Sequence, residues 1–163
     1  AIEYSGSPMR GYDVGRLMDS LGQFLDDPKR QRAALVGIGN LGRAIIAYFR
    51  GRRPRLSIAA AFDSDPAKVD GGAGLCRCYP REAMTRVIRE RRIDVGIITV
   101  PAAAAQGVAD ELVKAGVRAI VNFAPTTLRV PRHVYVEDID MIVSMEKAAF
   151  FARKREEEGR GSA

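Results

Sequence analysis

Apolar positions along this chain follow two different rhythms. Five segments are nearly continuous apolar runs: Ala33–Val36, Leu56–Phe62, Ile93–Val100, Val117–Asn122 and Val134–Glu137. Runs of that kind predict strands buried on both faces of a sheet. A shorter strand is expected near Leu75–Cys78, after a glycine-rich turn at Gly71, Gly72 and Gly74. Between the runs the spacing turns helical. Leu41, Ala44, Ile45, Tyr48 and Phe49 share one face, as do Ala83, Met84, Val87 and Ile88 in a helix opened by Tyr79-Pro80 and running to Arg91. Ala102–Ala115 predicts a third helix, opened after Pro101 and closed by Gly116. Near the start, Asp13 can cap a helix carrying Val14, Leu17, Met18, Leu21, Phe24 and Leu25, which Asp26-Asp27-Pro28 ends. The strand–helix alternation dictates an α/β fold, a doubly wound parallel sheet with right-handed crossovers and strand order 3-2-1-4-5-6.

The last helix departs from this pattern. From Asp140 to Arg153 one face carries Met141, Met145, Ala148 and Ala152, and another carries Ile139, Val143 and Phe150. Ile142, Ala149 and Phe151 widen the apolar arc beyond the single stripe that a helix closing a monomer requires. A second copy of the chain is the expected partner, and a helix buried deep in its own domain is the alternative. The expected organisation is a linker at 1–12, the sheet domain with its leading helix at 13–138, the carboxyl-terminal helix at 139–155 and a charged, fraying tail at 156–163.

The chemistry concentrates where the first strand meets the first helix. Gly37-Ile38-Gly39-Asn40-Leu41-Gly42 is a GxGxxG sequence between an apolar run and a helical pattern, and Asp63 closes the next strand. In a dinucleotide-binding (Rossmann) unit each glycine has a task. Gly37 permits the tight turn, Gly39 lets backbone approach a pyrophosphate, and Gly42 lets the helix pack close. The helix N-terminus offers unpaired N–H groups to phosphate, and an acid at the Asp63 position holds the adenosine ribose hydroxyls. A glycine turn selected for packing alone would leave Asp63 unexplained. The carboxylate also favours NAD over NADP, since repulsion of a 2′-phosphate at about 5 Å is on the order of 3 kcal/mol at an effective dielectric near 20. Ser64, Asp65 and Pro66 supply no arginine beside it, and Asp65 joins Asp63 among the expected cofactor-binding residues. Ligands of such sheets bind outside the strand ends where the order reverses, which brings in Thr99-Val100-Pro101 and Asn122-Phe123-Ala124-Pro125 around the nicotinamide.

Charge and composition change the picture little. Lys and Arg total 26 against 20 Asp and Glu, a net charge of +6, with a knot at Arg50, Arg52, Arg53 and Arg55 read as a solvated turn. No apolar run reaches the length of a membrane span and no signal peptide is visible, so the cytoplasm is expected. Cys76 and Cys78 are too close in sequence for an easy bridge and too few for a structural metal, and read as small buried hydrophobes. The lone histidine, His133, is far in sequence from the cofactor loops. Neither catalytic nor metal-ligating residues are assigned. A cofactor site without an acid–base group or a substrate domain suggests a protein that senses its cofactor.

At this point the chain resembles the redox-sensing transcriptional repressors of the Rex family over nearly its whole length. The resemblance rests on Gly11-Tyr12-Asp13-Val14, Ala34–Ala44, Ala61-Phe62-Asp63-Ser64-Asp65-Pro66, Thr99-Val100-Pro101-Ala102, Asn122-Phe123-Ala124-Pro125 and Ile139-Asp140. It implies a cytoplasmic bacterial homodimer that reads the NADH/NAD⁺ ratio, with NADH closing the dimer and releasing operator DNA. It implies a carboxyl-terminal helix exchanged between subunits, and Tyr12 and Asp140 meeting across the dimer near the nicotinamide. The family carries a winged-helix domain ahead of this region, so DNA contact is expected only through that domain and not through this chain. Two other functions fit a glycine-rich opening: a CoA-binding Rossmann domain and a small NAD-dependent oxidoreductase domain. Asp63 speaks against the first, and the lack of an acid–base group near the crevice against the second.

Overall fold

The computed structural model describes residues 31–49, 55–71 and 76–160, all within one compact unit, Gln31–Ala163. Its strands are β1 (Gln31–Val36), β2 (Leu56–Asp63), β3 (Cys78–Pro80), β4 (Val95–Ile98), β5 (Ala119–Asn122) and β6 (Tyr135–Asp138). Its helices are α1 (Asn40–Phe49), α2 (Pro66–Gly71), α3 (Met84–Arg91), α4 (Ala102–Ala115) and α5 (Met141–Arg160). All strand pairs are parallel, in the order β3-β2-β1-β4-β5-β6. This is the doubly wound order expected from the sequence.

The near-continuous apolar runs are explained by burial of both sheet faces. On β1, Ala34 and Val36 join one core with Phe62, Ile98 and Ile120, covered by Met84, Val87 and Ile88 of α3 and Val108 and Leu112 of α4. Ala33 and Leu35 point the other way, into a core with Ala61, Ile97 and Ile46 of α1. Burial at this scale contributes roughly 1.5–3 kcal/mol for each large side chain. It fixes β1 at the centre of the sheet and the reversal of strand order between β1 and β4.

Several boundaries differ from expectation. The third strand pairs Ala61 with Cys78 and Asp63 with Pro80, so it lies two residues later than its sequence suggested. A 3-10 turn, Arg81–Ala83, precedes α3. The short helix α2 was not anticipated, because only Val69 among its six residues is a large apolar side chain. The leading helix, the linker and Arg50, Arg52 and Arg53 lie outside the described residues.

The last helix is the largest departure. It runs to Arg160, where the sequence suggested a tail from 156 onward. Residues 153–158, Arg-Lys-Arg-Glu-Glu-Glu, are good helix formers, which favours continuation. No residue from Met141 to Arg155 is buried. Burial of this helix inside its own domain is therefore overturned.

Candidate functional site

The site grows from the end of β1. Gly37 takes φ +100°, a left-handed conformation that favours glycine, and a Cβ there would stand 2.8 Å from the Thr99 carbonyl oxygen and the Val100 side chain. A Cβ on Gly42 would stand 2.2 Å from the Gly37 carbonyl oxygen, so the first turn of α1 closes against the loop only because both positions lack side chains. Gly39 is the contrast. A Cβ there meets nothing within 4 Å, and the residue lines a cleft of about 490 Å³. The loop is thus closed on its protein side at Gly37 and Gly42 and open at Gly39, beside the free N–H groups that begin a helix.

Asp63 ties the second strand to this loop. Its Oδ2 accepts the Ile38 backbone N–H at 2.6 Å, and its Oδ1 accepts the Asp65 N–H at 2.9 Å. Lys68 of α2 adds an ion pair at 3.1 Å. Burial alone pushes this carboxyl upward, but the contacts from Asp65, Ile38 and Lys68 outweigh it and hold the carboxyl below its ordinary value. The group is therefore charged at neutral pH. Two of its three hydrogen bonds fall on Oδ2 and one on Oδ1, which leaves about one acceptor site, on Oδ1, for a ribose hydroxyl.

Across the cleft, Thr99 locks β4 to the glycine loop. Its N–H donates to the Val36 carbonyl at 2.9 Å, and its hydroxyl donates to the Gly37 carbonyl at 2.7 Å. Val100, Pro101 and Phe123 complete the wall, so the structure brings Gly37, Gly39, Asn40, Leu41, Asp63, Thr99, Val100, Pro101 and Phe123 to one cavity. Ile38 and Gly42 serve it from behind, the first through its N–H on Asp63 and the second through close packing.

Three other expected residues are placed differently, and a fourth is not described. Asp65 does not line the cleft; its carboxylate accepts the Ala67 N–H at 3.0 Å and caps α2. Asn122 is buried, and its amide is spent on the Thr126 carbonyl, the Asp138 carboxylate and the Ala124 N–H. It shapes the 122–127 loop and has no donor to spare for a cofactor. Asp140 caps α5 by accepting the Val143 N–H at 2.9 Å, and it lines a second cavity of about 450 Å³ that shares Phe123 with the first. Tyr12 lies outside the described residues.

Two charged residues of the cleft are not legible in the sequence. Lys68 stands on the unanticipated α2, and Arg81 follows β3 and pairs with Glu111 of α4 at 2.7 Å. No spacing rule links a lone arginine to a glutamate thirty positions away. Burial pushes the thiols of Cys76 and Cys78 up, which suits small hydrophobes and not reactive thiolates. Among the described residues no group of His, Cys, Asp and Glu could hold a metal.

A parallel sheet reversing at β1 and β4, a glycine cradle at that point and an ionised acid ending β2 define a doubly wound dinucleotide-binding domain of Rossmann type. Residues 28–126 match the family model described as CoA binding domain. The chain belongs to the Rex family of redox-sensing transcriptional repressors. It is 42% identical over 145 residues to the repressor Rex of Carboxydothermus hydrogenoformans, covering 88% of this chain and 69% of that protein. Among solved structures, RSP, a Rex-family repressor, in complex with beta-NADH is similar with a TM-score of 0.78 at 29% identity, over 96% of this chain and 74% of that one. RSP in complex with beta-NAD+ and operator DNA gives 0.76 at 30% identity, over 95% and 71%. These relatives are named as repressors, not as enzymes.

Proposed function

We propose that this chain binds NADH and NAD⁺ in the cleft between β1 and β4 and pairs with a second copy through α5. On this reading it is the redox-reading part of a cytoplasmic repressor, and operator DNA is reached only through a winged-helix domain of the kind the family carries. The observation that carries the reading is the open side of Gly39 beside the charged Asp63. A pyrophosphate fits where no Cβ intrudes, and a ribose hydroxyl fits a carboxylate that still has an acceptor site free. The residues present therefore suit a dinucleotide. The redox state itself belongs to the nicotinamide; the chain binds and orients it. Relatives carrying NADH, NAD⁺ and operator DNA support the same reading.

Dimerisation through α5 is supported by its exposed apolar side chains, Met141, Ile142, Val143, Met145, Phe150 and Phe151. Asp140 stands where the second cavity meets the first turn of α5, so a nicotinamide between Tyr12 of one subunit and Asp140 of the other would act on the dimer helix directly. Such a ligand shifts the open–closed balance only by its difference in affinity for the two states. No turnover is expected. Among the described residues no helix is long and apolar enough to cross a membrane, which accords with the proposed location.

The CoA reading meets Asp63, because CoA carries a phosphate on its ribose and the carboxylate would repel it. Calorimetry with NADH, NAD⁺, NADP⁺ and CoA decides. NADH is expected to bind tightest, and CoA binding in the absence of NADH binding would replace the proposal with the CoA reading.

A further inference from the structure

One cation in the cleft has no part in the account above. Arg81 directly follows Pro80, the register partner of Asp63, so it stands at the carboxyl end of the strand next to the one bearing the ribose acid. Its guanidinium is not loose. Nε and Nη2 lie 3.2 and 2.7 Å from one carboxylate oxygen of Glu111, and Nε lies 3.3 Å from the other. The Glu111 hydrogen bonds push its pKa up further, so the charge is permanent. A Cβ on Gly107 would stand 3.4 Å from Nη2, which shows the guanidinium lying along the surface of α4. Ala104 and Val108 of the same helix supply apolar lining to the cleft.

The order of parts across the sheet then assigns this corner. The phosphate cradle is at the end of β1, the ribose acid at the end of β2, and Arg81 at the end of β3. A base attached to that ribose lies beyond Asp63, on the side away from the cradle. A fork held by Glu111 presents a fixed plane of positive charge beside small apolar side chains, which suits the π face of a heterocycle better than another phosphate. We propose that Arg81, clamped by Glu111, is the residue on which the adenine of the cofactor stacks, and that it sets the affinity of the adenosine half. This rests on the dinucleotide reading of the same cleft.

The test is calorimetry of the whole chain with NADH and with ADP-ribose, which lacks the nicotinamide, using Arg81→Ala, Arg81→Lys and Glu111→Gln. Arg81→Ala is expected to weaken both ligands alike by about tenfold, the scale of a desolvated cation–π contact. Arg81→Lys keeps the charge and loses the plane, and is expected to recover less than half of that loss on a logarithmic scale. Glu111→Gln leaves Arg81 present but less firmly held, and should give a smaller loss in the same direction. Both partners are partly exposed, so thermal melts of the variants should match the parent. ADP-ribose bound by Arg81→Ala as tightly as by the parent overturns the proposal. So does full recovery in Arg81→Lys, which would make Arg81 a simple phosphate counter-charge. A parent that binds neither ligand would overturn the dinucleotide reading itself, a result distinct from either of these.

Discussion

Asp63 is 7% exposed and its carboxylate takes three hydrogen bonds, whereas Met141–Arg155 of α5 contains no buried residue at all. The cleft is finished within one chain. Its loop is pinned by Thr99 and Asp63, its close approaches are made possible by Gly37 and Gly42, and among the described residues no buried side-chain polar atom lacks a partner. The helix is unfinished, with Ile142 and Met145 more than 65% exposed. A soluble helix does not keep so much apolar surface in water without a use for it. The contrast separates two tasks: holding a ligand, which the cleft does with local contacts, and reporting it, which on the proposed reading falls to the helix and a second copy of the chain.

The sharpest way to break that separation is to remove the helix. Ending the chain after Asp140 keeps the Asn122–Asp138 hydrogen bond, and Met141–Arg155, which it removes, contains no buried residue. Sedimentation is expected to show a monomer, with the strand content of the sheet retained by circular dichroism. At roughly 1.5–3 kcal/mol for each large side chain buried between copies, the association lost is several kcal/mol even after the cost of bringing two chains together. Phe150→Asp in the full chain should give the same monomer without shortening it. A truncated chain that stays a dimer would place the interface elsewhere.

The glycine loop offers an internal control of intermediate size. Gly42→Ala forces a methyl to within 2.2 Å of a backbone oxygen, and is expected to destabilise the fold by about 2–3 kcal/mol, at the upper end of overpacking. Gly39→Val meets open space, so its unfolding free energy from urea titration should stay within about 0.5 kcal/mol of the parent while NADH binding is lost. The two variants alter positions three residues apart and should fail in opposite ways. Equal destabilisation by both would mean that the loop is shaped only by packing.

Much of this was legible in the sequence, for identifiable reasons. The buried strands announced themselves because both faces of β1 and β4 are covered, leaving few polar interruptions. The bounds of α4 were readable because Pro101 opens it and Gly116 closes it. The cradle was readable because its glycines are required by contacts that no other residue permits. What stayed hidden depends on short or distant pieces. Asp65 reads as part of a ribose motif until α2 exists for it to cap. Asn122 reads as a ligand residue until the 122–127 loop is seen to absorb its amide. Lys68 could not be placed because six residues with one large apolar side chain carry no helical periodicity, and Arg81 because its partner is on another helix.

Lys68 leads to the smallest expected effect and the most specific. In the sequence Asp63 reads as an uncompensated charge that favours NAD, yet an ammonium stands 3.1 Å from it and both line the cleft. That cation offsets part of the repulsion a 2′-phosphate would meet, so discrimination against NADPH in the parent is weaker than the bare carboxylate would give. Lys68 is 30% exposed, and screening reduces the pair to about 1 kcal/mol. Lys68→Ala is therefore expected to weaken NADPH by about fivefold and NADH by less than about threefold. A second readout is the acid limb of NADH binding. Asp63 is held below its ordinary value partly by Lys68, so removing the lysine lets it protonate at higher pH, and binding should fail earlier on acidification. The same sign governs stability. The contribution of a depressed carboxyl is full above its unfolded value of about 3.9 and disappears as pH falls through the folded one, so the variant should lose it sooner. If Lys68→Ala leaves the NADH-to-NADPH ratio and the acid limb unmoved, the lysine faces solvent when ligand is bound. Asp63 then discriminates alone, as its position in the sequence first implied.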